Sequence, residues 1–234
     1  MADPTLTGRL FGGRSDHTRP LLTYYNGASG ERTELSGATL GNWAAKIANY
    51  LRDETGLLPG DSVGVDLPEH WQTAAVLLGA WWAGLRVDFP GDIDDARVVF
   101  TSADRLDDYP SADELVAVPL DPFALGVPSL PLGVNDFGTS VRPHGDQFHA
   151  DGAGSEAVAG RSIDDAADAA LQGAANDGVS AGDRVLSTRP WHSADDAITN
   201  LLGPLLAGAS LVWADSDERL AQIAETEIAT SVLS

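Results

Sequence analysis

The chain has 234 residues, 43% of them hydrophobic, and its 35 acidic and 14 basic side chains give a formal net charge of -21. This length and apolar content exclude a wholly disordered chain, and the charge excludes nonspecific binding to nucleic acid or to an anionic membrane surface. The absence of cysteine excludes disulfides, thiolate nucleophiles and cysteine-ligated metals. The sequence has neither a leader-like N-terminus nor a run of 18 apolar residues, so we expect a cytoplasmic protein.

The first half of the chain predicts alternating helices and strands. Apolar residues at helical spacing predict a helix that starts near Ser36 and stops at Gly56, and a Gly-Asp turn then begins a strand over 62–67. Pro68 ends that strand. The helix predicted over 69–83 is apolar on all sides, which is typical of a buried helix. Further strands are predicted over 85–89, 97–101 and 115–120.

The second half repeats this alternation after a stretch rich in proline and glycine. That stretch, 119–146, predicts an extended crossover that includes one short helix or strand. Ser162 begins an alanine-rich helix that runs to Gly178, and another helix follows Pro190. The remaining strands are predicted over 184–188, 209–213 and 229–233.

The two halves are similar in sequence at an offset of 122 residues. G-L-L-P-G-D-S-V from Gly56 aligns with G-V-S-A-G-D-R-V from Gly178, and after a two-residue insertion Ala83-Gly84 aligns with Ala207-Gly208. The sequence therefore predicts an α/β fold of two lobes related by a pseudo-repeat, with mostly parallel sheets and covering helices. We place the first lobe at 1–118, the crossover at 119–150 and the second lobe at 151–234, packed as one compact unit.

The order of these elements resembles a known family. The run from Leu21 to Asp88 holds a strand pair, an amphipathic helix, the L-L-P-G-D-S-V strand, a proline, a buried helix and a W-A-G-L strand. It resembles the N-terminal part of the AMP-binding adenylate-forming enzymes, such as acyl-CoA synthetases. The segment from Ala181, A-G-D-R-V-L-S-T-R-P-W-H followed by L-L-G-P-L-L-A-G-A-S-L-V-W, is similar to the next stretch of that family. In length and in the motifs it lacks, the chain also resembles a family of short actinobacterial proteins of unknown function.

The resemblance implies a phosphate-binding loop between the crossover and the Ser162 helix, rich in Ser, Thr and Gly and ending in Pro-Lys-Gly. This chain has 149–161 there, without Lys or Thr and with Asp151 and Glu156 added. Carboxylates in that place should repel a triphosphate. The adenine-binding and Mg-binding motifs and the catalytic lysine of the family belong beyond Ser234, so we expect no catalytic residue, cofactor or metal.

The same loop has two further interpretations. Gly152, Gly154 and Ser155 belong to G-A-G-S-E-A, a G-x-G-x-x-A variant of the dinucleotide-binding fingerprint. No strand is predicted before it and no acidic residue follows at the required distance, so a flexible loop is the competing interpretation. A P-loop over 154–162 is disfavoured because Arg161 stands where lysine is required.

Two histidines follow the prolines that end the repeat strands. His70 and His192 each lie two residues after such a proline, near a carboxyl strand end, where α/β proteins usually bind ligands. A structural role at a helix start is the alternative for both. We favour Trp191 with His192 as ligand-site residues. In the resembled enzymes, an aromatic residue or histidine at this place borders the acyl pocket.

Other motifs fit a solvated acidic surface. D-D-x-x-D over 164–168 and D-I-D-D over 92–95 match carboxylate patterns for Mg²⁺, but an acidic chain produces such matches by chance. The five histidines lack paired metal spacing, and neither G-x-S-x-G nor S-x-x-K occurs. No metal site or nucleophile is predicted.

The expected function is that of a non-catalytic relative of adenylate-forming enzymes that binds a protein or a small ligand. The alternative is a degenerate enzyme that retains nucleotide or acyl-adenylate recognition through atypical residues. A third interpretation is a subunit that completes its site with another chain. Apolar helices over 69–83 and 201–206 favour a protein partner or a homodimer, with no nucleic acid and no membrane.

Overall fold

The computed structural model describes residues 3–93 and 96–234. Two of the acidic residues in the D-I-D-D match, Asp94 and Asp95, lie outside the described residues. The elements of the first half are α1 (Leu6–Gly12), β1 (Pro20–Asn26), β2 (Glu31–Ser36), α2 (Gly37–Asp53), β3 (Ser62–Asp66), α3 (Trp71–Trp82), β4 (Arg86–Asp88), β5 (Val98–Thr101) and β6 (Glu114–Ala117).

The crossover contains both a short strand, β7 (Val134–Asp136), and a short helix, α4 (Phe137–Val141), where the sequence predicted one or the other. The second half then forms β8 (Glu156–Val158), β9 (Arg161–Ser162), α5 (Ile163–Asn176), β10 (Arg184–Ser187), α6 (Ala194–Asp196), a π-helical turn (Ala197–Leu202), α7 (Gly203–Leu206), β11 (Ser210–Ala214), α8 (Leu220–Glu227) and β12 (Ser231–Leu233). The prediction of alternating strands and helices is confirmed.

Local chemistry fixes the helix starts that the sequence predicts. The Ser36 hydroxyl accepts the Thr39 N–H at the start of α2, and the Ser162 hydroxyl accepts the Asp165 N–H at the start of α5, both at 3.1 Å. A serine in this position satisfies a backbone donor that a helix leaves without an internal partner. The predicted starts of both helices follow from these caps.

The repeat is visible in the turns before the strands. The Gly60 N–H donates to the Gly84 carbonyl at 2.9 Å, and the Gly182 N–H donates to the Gly208 carbonyl at 3.1 Å. All four glycines have positive φ, which side-chain-bearing residues rarely adopt. The aligned glycines of the two sequence copies therefore build the same turn twice.

Two sheets form the framework. The first has seven strands in the order β7-β6-β5-β3-β4-β8-β9, and the second has five in the order β12-β10-β11-β1-β2. All neighbouring strands are parallel except the β1–β2 and β8–β9 pairs. The fold is mixed α/β with mostly parallel sheets, as predicted.

The sheets exchange strands across the predicted lobe boundaries. β1 and β2 belong to the range assigned to the first lobe, yet they join the sheet of β10, β11 and β12. Conversely, β8 and β9 lie beyond the crossover but extend the first sheet, where Val158 pairs with Val87. Boundaries at residues 118 and 151 therefore do not separate the two sheets. Turn and periodicity signals are local, whereas the choice of sheet depends on long-range pairing.

The repeat-related helices pack on their own preceding helices. A Cβ at Gly79 in α3 would lie 2.9 Å from the Ala44 carbonyl of α2, and a Cβ at Gly203 in α7 would lie 3.0 Å from the Ala170 carbonyl of α5. Gly79 and Gly203 align in the repeat, so glycine allows the same close helix contact in both copies. α1 packs against both of these helices, α3 and α7.

The described helices include none that is both long and apolar enough to cross a membrane.

The main core lies between the sheets and their covering helices, and its largest fully buried side chains include Trp81, Tyr50 and Phe100.

Candidate functional site

The candidate site begins where the two repeat copies touch. Glu69 follows the proline after β3, and its Oε1 accepts the Trp191 N–H at 2.9 Å and lies 2.8 Å from His192 Nδ1. The Nδ1–H tautomer of His192 satisfies this contact and leaves Nε2 as an acceptor. Trp191 is buried, whereas the His192 side chain is 61% exposed. The two predicted ligand-site residues therefore lie in different environments: Trp191 is in the core and His192 is at the surface of the site.

A cleft of about 700 Å³ opens beside this contact. It lies at the carboxyl ends of β3, β5 and β10, which is where parallel α/β sheets place ligands. Its polar wall includes the carboxylates of Asp66, Glu69 and Asp104, the Arg105 guanidinium and the His192 ring. Leu67, Pro68, Pro90 and Leu120 supply apolar surface. Three carboxylates and one guanidinium give the wall a net charge of -2 with histidine neutral.

Asp66 is the best-shielded carboxylate of the cleft. Its Oδ1 lies 2.5 Å from Arg105 Nη1 and its Oδ2 accepts the Tyr109 hydroxyl at 2.5 Å, while its side chain is almost fully buried. Burial and the bond to Asp66 raise the pKa of Tyr109, so the phenol stays protonated as a donor. This network fixes Arg105 at the mouth of the cleft.

A second cavity of about 480 Å³ continues along the crossover and shares Ser102, Asp104 and Leu120 with the cleft. Its remaining walls are largely apolar, with Val118, Pro119, Leu125, Val127 and Pro128. The buried Gln72 amide of α3 holds this segment, since Nε2 donates to the Asp121 carbonyl at 2.6 Å and Oε1 accepts the Leu120 N–H at 3.3 Å. The polar cleft therefore extends into an apolar groove with a fixed wall.

His70 occupies a different environment from His192. It is buried, and its Nδ1 accepts the Gln72 N–H at 3.2 Å as the cap of α3. Burial lowers the pKa of His70 to about 3, so the ring is neutral and carries its proton on Nε2. That Nε2 lies 3.5 Å from Glu31 Oε1 without forming a hydrogen bond. His70 therefore has a structural role at the start of α3. Of these two histidines, His192 is the one that lines the cleft.

The 152–155 loop packs against the protein. The Gly154 N–H donates to the Gly84 carbonyl at 3.0 Å, and a Cβ at Gly154 would lie 2.8 Å from the Gly60 nitrogen. Glycine at 154 therefore permits close contact between backbones, whereas a Cβ at Gly152 would meet only Pro59, at 4.0 Å. Ser155 is exposed in this loop and lies outside the cleft.

The rest of the stretch expected to hold phosphates is a tight hairpin. β8 and β9 pair antiparallel, and Ala159 and Gly160 connect them. β8 comes after the G-x-G sequence, whereas a dinucleotide-binding turn needs a strand before it. The backbone N–H groups of Gly154 and Gly60 both donate to the Gly84 carbonyl, so they are not free to bind a phosphate.

Two aspartates of the acidic motif at the start of α5 bond to other side chains. Asp164 pairs with Arg9 at 2.6 Å, and an Asp165 oxygen accepts the Ser162 hydroxyl at 2.7 Å. Within residues 3–93 and 96–234, no group of three His, Asp or Glu side chains is placed to hold a metal ion.

Sequence reasoning missed most of the cleft wall. Asp66, Glu69 and Arg105 were not predicted as site residues, although Asp66 ends β3 and Glu69 directly follows Pro68. The rule that ligands bind at carboxyl strand ends applies to both positions. Arg105 carries no such signal, since its place depends on the fold of the segment after β5. In the part of the chain that the structure describes, no Ser or Thr hydroxyl bonds to His192, so the Glu69–His192 pair has no nucleophile attached.

The mixed α/β fold of this chain matches that of the N-terminal part of adenylate-forming enzymes. Acyl-CoA synthetase from Brucella canis superposes with a TM-score of 0.80 at 20% identity, over 97% of this chain and 46% of that chain. Acetoacetyl-CoA synthetase from Streptomyces lividans gives 0.76 at 20% identity, over 98% and 42%. Apo MatB from Rhodopseudomonas palustris gives 0.74 at 17% identity, over 98% and 48%. The chain spans less than half the length of these structures, and the likeness concerns the fold.

The chain belongs to the TIGR03089 family. A TIGR03089 family protein from Mycobacterium tuberculosis (strain ATCC 25618 / H37Rv) is 44% identical over 206 residues, which cover 85% of this chain and 84% of that relative. No family model matches the sequence.

Proposed function

We propose that this protein is a non-catalytic relative of adenylate-forming enzymes that binds a small ligand in the cleft between the repeat copies. One observation carries the proposal: the cleft of about 700 Å³ lies at the carboxyl strand ends and is walled by residues of both copies. This volume is within the usual range for small-molecule sites. The Glu69 contact with Trp191 and His192 joins the two walls, so the site is formed before a ligand enters.

The charge of the wall favours a neutral or cationic ligand with an apolar body. The net charge of -2 opposes a triphosphate, since like charges a few ångströms apart repel by about 1 kcal/mol in water and by more when partly buried. His192 Nε2 supplies a polar contact at one end. The groove past Leu120 accommodates an apolar portion at the other.

The tight β8–β9 hairpin supports the non-catalytic part of the proposal. Its two-residue connection leaves little backbone to surround a triphosphate, and Glu156 begins β8. We therefore expect no carboxylate-dependent exchange between ATP and pyrophosphate. Exchange well above a no-enzyme control, with a panel of fatty and amino acids and protein free of host synthetases, would falsify this part of the proposal.

Thermal shift tests the ligand site. The probes are ATP, AMP, a non-hydrolysable acyl-adenylate analogue and size-matched neutral, cationic and anionic fragments, since a ligand that binds the folded state raises Tm. We expect shifts from neutral or cationic fragments that His192→Ala removes. His149→Ala is the matched control, because His149 is exposed and outside the cleft. Equal shifts in both variants, or none with any fragment, contradict the cleft as the site.

The alternative is a degenerate enzyme that retains nucleotide or acyl-adenylate recognition. The Glu69–His192 pair favours it, since a carboxylate-oriented imidazole can exchange a proton at Nε2. A Tm shift from AMP or the acyl-adenylate analogue that depends on His192 would select this alternative over the non-catalytic binding module.

A second candidate function is binding of a protein partner or a second copy. Its basis is the crossover, where Phe123, Leu125 and Leu132 are 70%, 56% and 106% exposed. Apolar side chains on one surface segment favour association. Light scattering at tens of micromolar tests for a homodimer, and Phe123→Ser should shift the mass towards the monomer. A monomeric wild-type protein would remove the homodimer interpretation.

A further inference from the structure

A separate cavity lies at the opposite end of the second sheet. It has a volume of about 360 Å³ and is lined where β1, β10 and β11 begin, by Pro20, Arg184 and Ser210. The repeat turn of Gly182 and Gly208 also faces it. The cleft lies at the carboxyl ends of strands, so this cavity is independent of the proposed ligand site.

Arg14 is the unusual side chain of this cavity. Its Nη2 donates to the carbonyls of Leu205 at 2.8 Å and Ala209 at 2.6 Å, while its Nε is buried without a hydrogen-bond partner. Burial lowers the pKa of Arg14, yet the group stays charged at neutral pH because arginine titrates far above it. A half-buried cation with an unused buried donor is costly unless an anion compensates it.

The surroundings of Arg14 contrast with those of the other arginines. Among residues 3–93 and 96–234, most arginines lie within 4.0 Å of a carboxylate, and Arg14, Arg142 and Arg219 are the ones without such a partner. Arg142 and Arg219 are exposed to water, whereas Arg14 is half-buried. Within the described ranges, Arg14 is thus the half-buried arginine without a carboxylate partner, and it lies against an open cavity.

The two copies of the repeat differ in how their equivalent turns are covered. In the first copy, the 152–154 loop covers the Gly60–Gly84 turn, and the Gly154 N–H bonds to the Gly84 carbonyl. In the second copy, the equivalent turn of Gly182 and Gly208 lines the open cavity. The fold therefore fills the first position with its own backbone and leaves the second accessible.

We infer that this cavity binds a small oxyanion, a phosphate or a carboxylate, through the guanidinium of Arg14. The other two arginines of the wall are already paired, Arg19 with Asp16 at 3.1 Å and Arg184 with Glu34 and Glu227. The aspartates of the wall, Asp16 and Asp183, are engaged as well: Asp16 accepts the N–H and hydroxyl of Thr18, and Asp183 accepts the Ser180 N–H and the Thr230 hydroxyl. A guanidinium matches the spacing of two oxyanion oxygens, which favours this class of ligand over a neutral one.

Thermal shift with simple salts tests the inference. Potassium phosphate, potassium acetate and potassium chloride are compared at pH 7 and equal ionic strength, because screening alone stabilises an acidic protein. We expect a saturable rise in Tm with phosphate or acetate beyond that with chloride, and the stronger of the two identifies the ligand chemistry. Arg14→Gln should weaken the apparent affinity at least about tenfold, since it removes charged hydrogen bonds.

Arg142→Gln is the matched control. Arg142 also donates to two backbone carbonyls, those of Phe123 and Ala124, but it lies outside this cavity. The Arg142→Gln variant should therefore show the same rise in Tm with phosphate or acetate as the wild-type protein. No response beyond chloride in the wild-type protein, or an equal response in Arg14→Gln, overturns the inference.

A wild-type measurement covers the case in which Arg14→Gln does not fold. Phosphate and acetate are titrated into ¹⁵N-labelled protein, and the amide and arginine Nε–H signals are followed. Shifts concentrated at Gly182, Gly208, Ser210 and the Arg14 Nε–H support the site. Shifts confined to other surfaces, or none, contradict it.

Discussion

The carboxylate of Glu69 accepts a hydrogen bond of 2.9 Å from the Trp191 N–H, and these residues occupy the same place in the two copies of the repeat. The Glu69 side chain is largely buried, and the same oxygen contacts His192. One repeat copy thus supplies a carboxylate where the other presents a backbone donor. The pseudo-symmetry is broken at the residue that joins the two walls of the cleft.

Glu69→Ala should lower the free energy of unfolding by about 1–3 kcal/mol, because it leaves the Trp191 N–H without its acceptor. Glu69→Gln should cost less, since its amide oxygen can still accept that bond. Urea denaturation measures both, with Glu225→Ala as the exposed control. If Glu69→Ala and Glu225→Ala are equally stable, the contact does not hold the walls together.

Glu227 should make stability depend on acidity. Burial raises its pKa, but hydrogen bonds from Arg32, Tyr25 and Arg184 outweigh burial and lower the pKa to about 2. A depressed pKa stabilises the fold above the unfolded-state value of about 4.5, and this contribution is lost as pH falls from about 4.5 towards 2.

Glu227→Gln should therefore destabilise the protein by about 1–3 kcal/mol at pH 7 and flatten the acid limb of its stability profile. Unfolding followed between pH 7 and pH 2.5 measures this. Glu218→Gln, at an exposed glutamate, should leave the limb unchanged. If the free energy of unfolding falls with pH equally steeply in the wild type and in Glu227→Gln, other carboxylates cause the acid sensitivity.

Gly154→Ala should destabilise the protein by about 1–3 kcal/mol, since its Cβ would lie 2.8 Å from both the Gly60 backbone and the Gly84 carbonyl. Gly152→Ala is the matched control in the same loop, and we expect it to be near neutral because its Cβ meets only Pro59 at 4.0 Å. Thermal unfolding of the two variants compares them. Equal stabilities would show that the loop is not packed as described.

Salt should stabilise the protein. With a net charge of -21 the folded chain repels itself, and the Debye length falls from about 30 Å at 0.01 M to about 10 Å at 0.1 M. We expect Tm to rise over this range in potassium chloride. A flat or falling Tm would mean that pairing with arginine already neutralises the repulsion.

The sequence by itself determined the elements and their repetition. Ser36 and Ser162 cap α2 and α5, and the aligned glycines at 60 and 182 form equivalent turns. These features depend on the conformational preferences of a few neighbouring residues, so one chain is enough to predict them.

The tertiary structure alone decided how those elements assemble. It placed β1 and β2 in the second sheet and β8 and β9 in the first, and it brought Arg105 to Asp66 and Glu69 to Trp191. Such pairings join residues distant along the chain, and their free energy comes from burial and long-range hydrogen bonding that no local pattern encodes. For the same reason the sequence located His192 but not the cleft wall opposite it.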